Sequence, residues 1–115
     1  MKYTVLLFGL VLAGCATSGL VRNSMLVSAG QTKQEVLDTL GTPKDRQFSG
    51  KNEAWQYCRT SFDLSPDDFV TVWFYDGQVT GVNTYKNTDI GMCDSFLREV
   101  KWEDAPDSTI TIRHR

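Results

Sequence analysis

Few residues in this chain have side chains able to do chemistry: three cysteines (Cys15, Cys58 and Cys93), one histidine (His114), and acidic groups gathered in SFDLSPDD and WEDAPD. Covalent catalysis needs a nucleophile and a base within hydrogen-bond reach, and acid–base hydrolysis needs paired carboxylates. His114 is the penultimate residue, and chain ends fray, so it is a poor site for a catalytic base. Asp63, Asp67 and Asp68 stand beside serine and proline, which is ordinary loop composition. Glu103, Asp104 and Asp107 flank a second breaker cluster, DAPDS. A solvated turn is the expectation for both groups, ahead of a cation site. Gly77 and Gly81 read as a turn and a strand interior, not as a loop that cradles phosphate. The expectation is a non-enzymatic protein with no metal and no cofactor.

Cys15 offers a different chemistry. Lys2 and the apolar run YTVLLFGLVLAG precede it, and the small, polar ATSG follows. A positive start, an apolar core and small residues at the cut make a secretory signal. The core falls short of the roughly 20 apolar residues that span a bilayer as a helix. The order Leu12, Ala13, Gly14, Cys15 resembles a bacterial lipobox, which implies removal of residues 1–14 and acylation of Cys15. Two or more acyl chains hold a protein stably on a membrane where one does not. Ala16 stands where aspartate would retain the protein in the inner membrane, so the sorting rule implies the outer membrane, periplasmic face. A plain secretory signal with a coincidental cysteine is the alternative.

Once Cys15 is assigned to lipid, Cys58 and Cys93 remain as an even pair, which in an oxidising compartment reads as a disulfide. Closing a loop of about 36 residues stabilises by about 3–4 kcal/mol on the chain-entropy account. A redox couple is the competing reading, but the pair lacks C-x-x-C spacing and a neighbouring base to lower a thiol pKa.

About 100 residues follow the leader, enough for one small domain with one core. The leader carries only Lys2, so 11 basic residues face 14 acidic ones in the remainder. That mild acidity argues against nucleic acid, which needs a clustered positive footprint; Arg113, His114 and Arg115 read as a solvated tip. Residues 15–23 read as a tether and 24–30 as a turn or two of helix capped by Ser24. QTKQEVLDTLGTP carries the clearest local signal. Thr32 and Glu35 form a capping box, Val36, Leu37 and Leu40 make an apolar stripe, and Gly41 and Pro43 end the helix. A helix over 33–40 follows. The period then becomes two. DRQFSGKNEAWQYCRT (45–60) reads as a hairpin turning at SGKN, and FVTVWFYDGQVTGVNTYK (69–86) as a stronger one turning at Asp76-Gly77. Val70, Val72 and Phe74 share one face of the central strand; Phe69, Thr71, Trp73 and Tyr75 share the other.

In such a meander Cys58 lies near the end of the first strand and Cys93 just beyond the end of the third, at the same end of the sheet, and the two flanking strands are nearly 10 Å apart across the middle one, too far for a bridge. The segment 87–92 must then curl back over the middle strand, which Gly91 permits. After it comes an extended or irregular stretch with Phe96, Leu97, Val100 and Trp102, then an edge strand ending in Ile110 and Ile112. The fold class is α+β, with one or two short helices on a three- to four-stranded antiparallel meander.

The lipobox, A-G-Q-T-K-Q-E-V-L-D-T-L-G-T-P, Gly50 before the aromatic strand at Trp55 to Tyr57, and F-Y-D-G-Q-V at 74–79 resemble the SmpA/OmlA (BamE-like) family of small outer-membrane lipoproteins. The likeness runs over roughly residues 12–84, and the helix with its G-T-P exit is its specific part. It implies two helices on a three-stranded sheet, and an accessory or scaffold role in envelope integrity or outer-membrane protein assembly, with envelope proteins as partners. Thr42, Phe48 and Gly50 are the positions that match the family's contact surface; the competing reading has Thr42 and Gly50 shaping turns and Phe48 packing on the sheet. Gln31 departs from the usual methionine, NSMLVS lacks the aromatic segment found before the helix, and the cysteine pair and the tail after 93 are additions. The aromatic residues exceed what one small core readily hides, so they mark a protein contact or are covered by the tail. A ligand-binding or enzyme-inhibitor module of the envelope, with no assembly role, is the alternative function.

Overall fold

The period-two segments pair in chain order. In the computed structural model, which describes residues 19–61, 66–88 and 91–106, four strands form one antiparallel sheet: β1 (Asp45–Ser49), β2 (Asn52–Arg59), β3 (Asp67–Tyr75) and β4 (Gln78–Asn87). Register places Trp55 opposite Val72 and Tyr57 opposite Val70, then Val72 opposite Val82 and Phe74 opposite Val79. The β3–β4 turn holds both Asp76 (φ 50°) and Gly77 (φ 82°) at positive φ, the requirement of a type I′ turn, whose twist matches that of the strands. A register shift between Trp73 and Phe74 marks a bulge beside β4.

Two helices lie on one face. α1 spans Leu20–Ser24 and α2 spans Lys33–Leu40. At the start of α2 both halves of the capping box form: the Glu35 N–H donates to the Thr32 hydroxyl and the Thr32 N–H to the Glu35 carboxylate. Val36 is fully buried against Trp55, Tyr57, Val70, Val72, Phe74 and Val79, with Leu20, Val27, Leu37 and Leu40 at the margin. The first helix therefore comes earlier than the expected 24–30. Ser24 ends it, and its hydroxyl donates back to the Val21 carbonyl at 2.6 Å rather than capping a following turn. Because Leu20 packs on the core, the packed body begins before residue 24, inside the stretch expected to be a tether. Asp67 and Asp68, expected in a loop, are the first residues of β3.

The opposite face is covered too. Residues 91–106 form a strap of a 3₁₀ turn (Cys93–Phe96), an extended run and a second 3₁₀ turn (Trp102–Asp104). Cys58 and Cys93 are disulfide-bonded with Cα atoms 6.0 Å apart. Cys58 pairs with Phe69 on β3, so the chain does curl back as the meander demands, and Gly91 (φ 135°) supplies the bend. Phe69 is buried among the two half-cystines, Phe96 and Leu97. The expected edge strand near Ile110 and Ile112 lies outside the described residues, as do Cys15, Asp63, Asp107 and His114.

Candidate functional site

The β1–β2 and β3–β4 turns meet at one end of the sheet, joined by the Asp76 N–H donating to the Lys51 carbonyl at 3.0 Å. The N-terminus of α2 reaches the same end through the Thr32–Gln78 bridge. These elements enclose a shallow groove of about 410 Å³ lined by Lys33, Phe48, Gly50, Lys51, Glu53 and Asp76, among others. The structure thus brings together two of the three expected contact residues. Phe48 is 62 % exposed, and Gly50 sits at φ 61° in the tight loop after it. Thr42 is not with them. It precedes β1, whereas Phe48 and Gly50 lie at or beyond its far end, a run of about 3.3 Å per residue.

Glu53 organises this end. It lies on the helix-covered face and is 4 % exposed. Its carboxylate receives Lys33 Nζ at 2.5 Å, Arg46 Nη2 at 3.1 Å and the Trp55 indole N–H. Burial pushes the Glu53 carboxyl up, but the hydrogen bonds from Lys33, Trp55 and Arg46, and the Lys33 charge, outweigh it and hold the group below its ordinary value. Arg46, fixed by Glu53, stands over two rings, 5.3 Å from Phe48 and 5.6 Å from Trp55. A cation over an aromatic face is attracted by the ring quadrupole, so Phe48 projects into solvent from a supported base. Glu53 was missed in the sequence, although its period-two match to Trp55 and Tyr57 places it on the apolar face.

At the other end Asp94 Oδ1 lies 3.4 Å from Cys93 Sγ and 3.6 Å from Cys58 Sγ. Cys58, Cys93 and Asp94 are the one grouping with metal-ligand proximity among the described residues. Both sulfurs are committed to the disulfide, and metals are held by thiolates, so this grouping is no metal site as it stands. Asp68 pairs with Lys86 at 2.6 Å. Buried Asp67 accepts from the Ser61 N–H at 2.7 Å, and its second oxygen has no hydrogen-bond partner. Glu103 and Asp104 lie in the strap's second 3₁₀ turn. Of the aromatic residues, Trp55, Trp73, Phe69, Phe74 and Tyr57 are buried. Trp102 stands edge-on to Trp73 at 6.1 Å between ring centres, so the strap accounts for the second aromatic face. No described helix is long and apolar enough to cross a membrane. Comparison of the chain with protein-family models, with curated proteins and with solved structures found no significant match.

Proposed function

We propose that this protein is a lipid-anchored accessory of the outer-membrane periplasmic face, akin to the SmpA/OmlA lipoproteins, that docks on envelope proteins through the turn end of its sheet. The observation that carries the docking surface is Phe48: a large apolar side chain, 62 % exposed, backed by Arg46 and Glu53. Aromatic anchors held in place before binding dominate interface energetics, because little side-chain freedom remains to be lost. The lipobox-like LAGC sequence supports the tether, and a tether confines the domain near its partners, so weak contacts suffice. The α+β architecture is compatible with the likeness and does not by itself assign a role.

Site-specific photo-crosslinking in intact cells tests this reading. A crosslinker at position 48 or 50 is expected to capture a discrete envelope protein, and one at position 42 is not. Absence of any adduct from 48 and 50 would overturn the docking surface. The anchor is tested separately: the native product should carry acyl chains on Cys15 by mass spectrometry, and Cys15→Ser should release the protein from the membrane fraction.

A further inference from the structure

Two adjacent apolar side chains at the end of α1 have no cover. Met25 is 78 % exposed and Leu26 is 64 % exposed, the highest values among the large exposed apolar residues described. They do not lie on a loose end. Leu20 before them and Val27 after them pack on the margin of the core. The turn between continues α1, with the Met25, Leu26 and Val27 N–H groups donating to the Arg22, Asn23 and Ser24 carbonyls at 3.1, 3.0 and 3.1 Å. The next N–H, that of Ser28, donates to Gln31 Oε1 at 3.1 Å. A single exposed apolar residue is ordinary on a protein surface. Here an adjacent pair projects from a braced turn whose own N–H groups are satisfied, and backbone that enters a lipid interface must meet that condition.

The place of the turn in the chain indicates what covers it. Five residue steps separate Cys15 from Leu20, and an extended chain covers at most about 3.6 Å per residue, so α1 begins within about 18 Å of an acylated cysteine. The helix rises about 1.5 Å per residue, which puts Met25 only about 8 Å further along. A bilayer that holds Cys15 is therefore the apolar phase within constant reach of the pair, and confinement at that range lets a small contact suffice. Charge agrees with this occupant. Residues 16–34 carry Arg22 and Lys33 and no acidic residue, in a chain of 14 acidic and 12 basic residues. Arg22 is exposed three positions before Met25. A cation for the headgroups beside apolar tips for the acyl boundary is the composition of an interfacial segment.

We propose that the Met25–Leu26 turn rests in the lipid interface beside the acylated Cys15, so that the bilayer itself orients the domain. This contact rests on the anchoring proposed above and is independent of docking through Phe48. The native acylated product in phosphatidylcholine nanodiscs, with carbon-13-labelled methionine methyls and a small fraction of doxyl-labelled phosphatidylcholine, tests it by NMR. Removal of the leader leaves Met25 and Met92 as the methionines. Met92 is 56 % exposed on the strap side and serves as the internal control. The paramagnetic lipid should abolish the Met25 methyl signal and spare that of Met92. Leu26→Asp, at an exposed site outside the core, should leave the thermal midpoint unchanged and restore the Met25 signal while the acyl chains keep the protein on the nanodisc. Equal broadening of both methyls, or a Met25 signal that persists in an anchored protein, would overturn the contact. So would a Met25 shift that grows with protein concentration in detergent, the mark of a second copy. A product that stays off the nanodisc and has no acyl mass on Cys15 would overturn the anchor, and this contact with it.

Discussion

A carboxylate buried on an apolar face is unfavourable unless donors surround it, and Glu53 meets that condition with three side chains from α2, β1 and its own strand. Glu53→Ala leaves the Trp55 indole N–H and two cations without their acceptor. Lys33 and Arg46 are 39 % and 50 % exposed and rehydrate, so the loss should be about 1–2 kcal/mol, below the 3–5 kcal/mol of a fully buried broken pair; urea unfolding at pH 7 checks it. Because the folded-state pKa is depressed, the unfolded chain binds the proton more readily. The stabilisation is complete above the unfolded value of about 4.3 and is lost as pH falls through the folded value. Wild type should therefore lose stability on acidification below about pH 4.3 more steeply than Glu53→Gln. Tyr57 shows the opposite case. Burial raises its phenol, and its hydroxyl donates to the Gly41 carbonyl at 2.8 Å. Tyr57→Phe should cost about 1 kcal/mol at neutral pH and remove the part of the alkaline destabilisation that begins near pH 10, where the unfolded tyrosine ionises. The likeness to the SmpA/OmlA proteins marked Phe48 and Gly50 as contact candidates against a reading in which Phe48 packs on the sheet, and Phe48 is exposed, whereas Glu53 was hidden because a polar residue beside a turn reads as solvated until its strand register is known.

Among the elements, those with local signals were legible. Capping box, apolar stripe and glycine stop define α2 to the residue, and Thr32→Ala should cost about 1 kcal/mol by removing the hydroxyl that caps it, measured as a shift of the urea midpoint. The aspartate–glycine turn likewise fixes β3 and β4. The first helix was misplaced because Ser24 has the composition of a cap and the geometry of an end: its hydroxyl bonds backwards to Val21, while Met25 and Leu26 are left largely exposed. The strap has neither period, so beyond the expected curl at 87–92 its course read only as extended or irregular. It is held by long-range pairs instead, with Val100 N–H donating to Gln47 Oε1 at 2.9 Å and the Gln47 amide donating to the Arg98 carbonyl. Gly81 is part of the same fit. A Cβ there would lie 2.5 Å from Pro106 Cγ, so Gly81→Ala must push the strap's end outward. The expected result is loss of the Trp102–Trp73 contact, seen as a change in the near-ultraviolet CD of the tryptophans, with the far-ultraviolet spectrum of the sheet retained.

Across the molecule, a central strand with aromatics on both faces demanded two covers; the sequence pointed to the helix for one and left the other open between a partner and the tail, and the tail residues 91–106 supply it. The second cover is tied by the Cys58–Cys93 disulfide, which joins the strap to β2 beneath Phe69. The strap otherwise rests on a few side-chain hydrogen bonds and the margins of Phe96, Leu97 and Trp102, whereas β2 and β3 share a full ladder and the principal core. Regions with few buried contacts open at lower free energy than core strands, so the crosslink should matter more to the strap than to the sheet. Replacing both cysteines by serine removes a constraint worth about 3–4 kcal/mol for a loop of this size. Hydrogen exchange should then be fast at residues 91–106 while amides of β2 and β3 stay protected. If the strap instead exchanged in step with those strands, the two covers and the sheet would form one cooperative unit, and the strap would owe its place to packing rather than to the covalent tie.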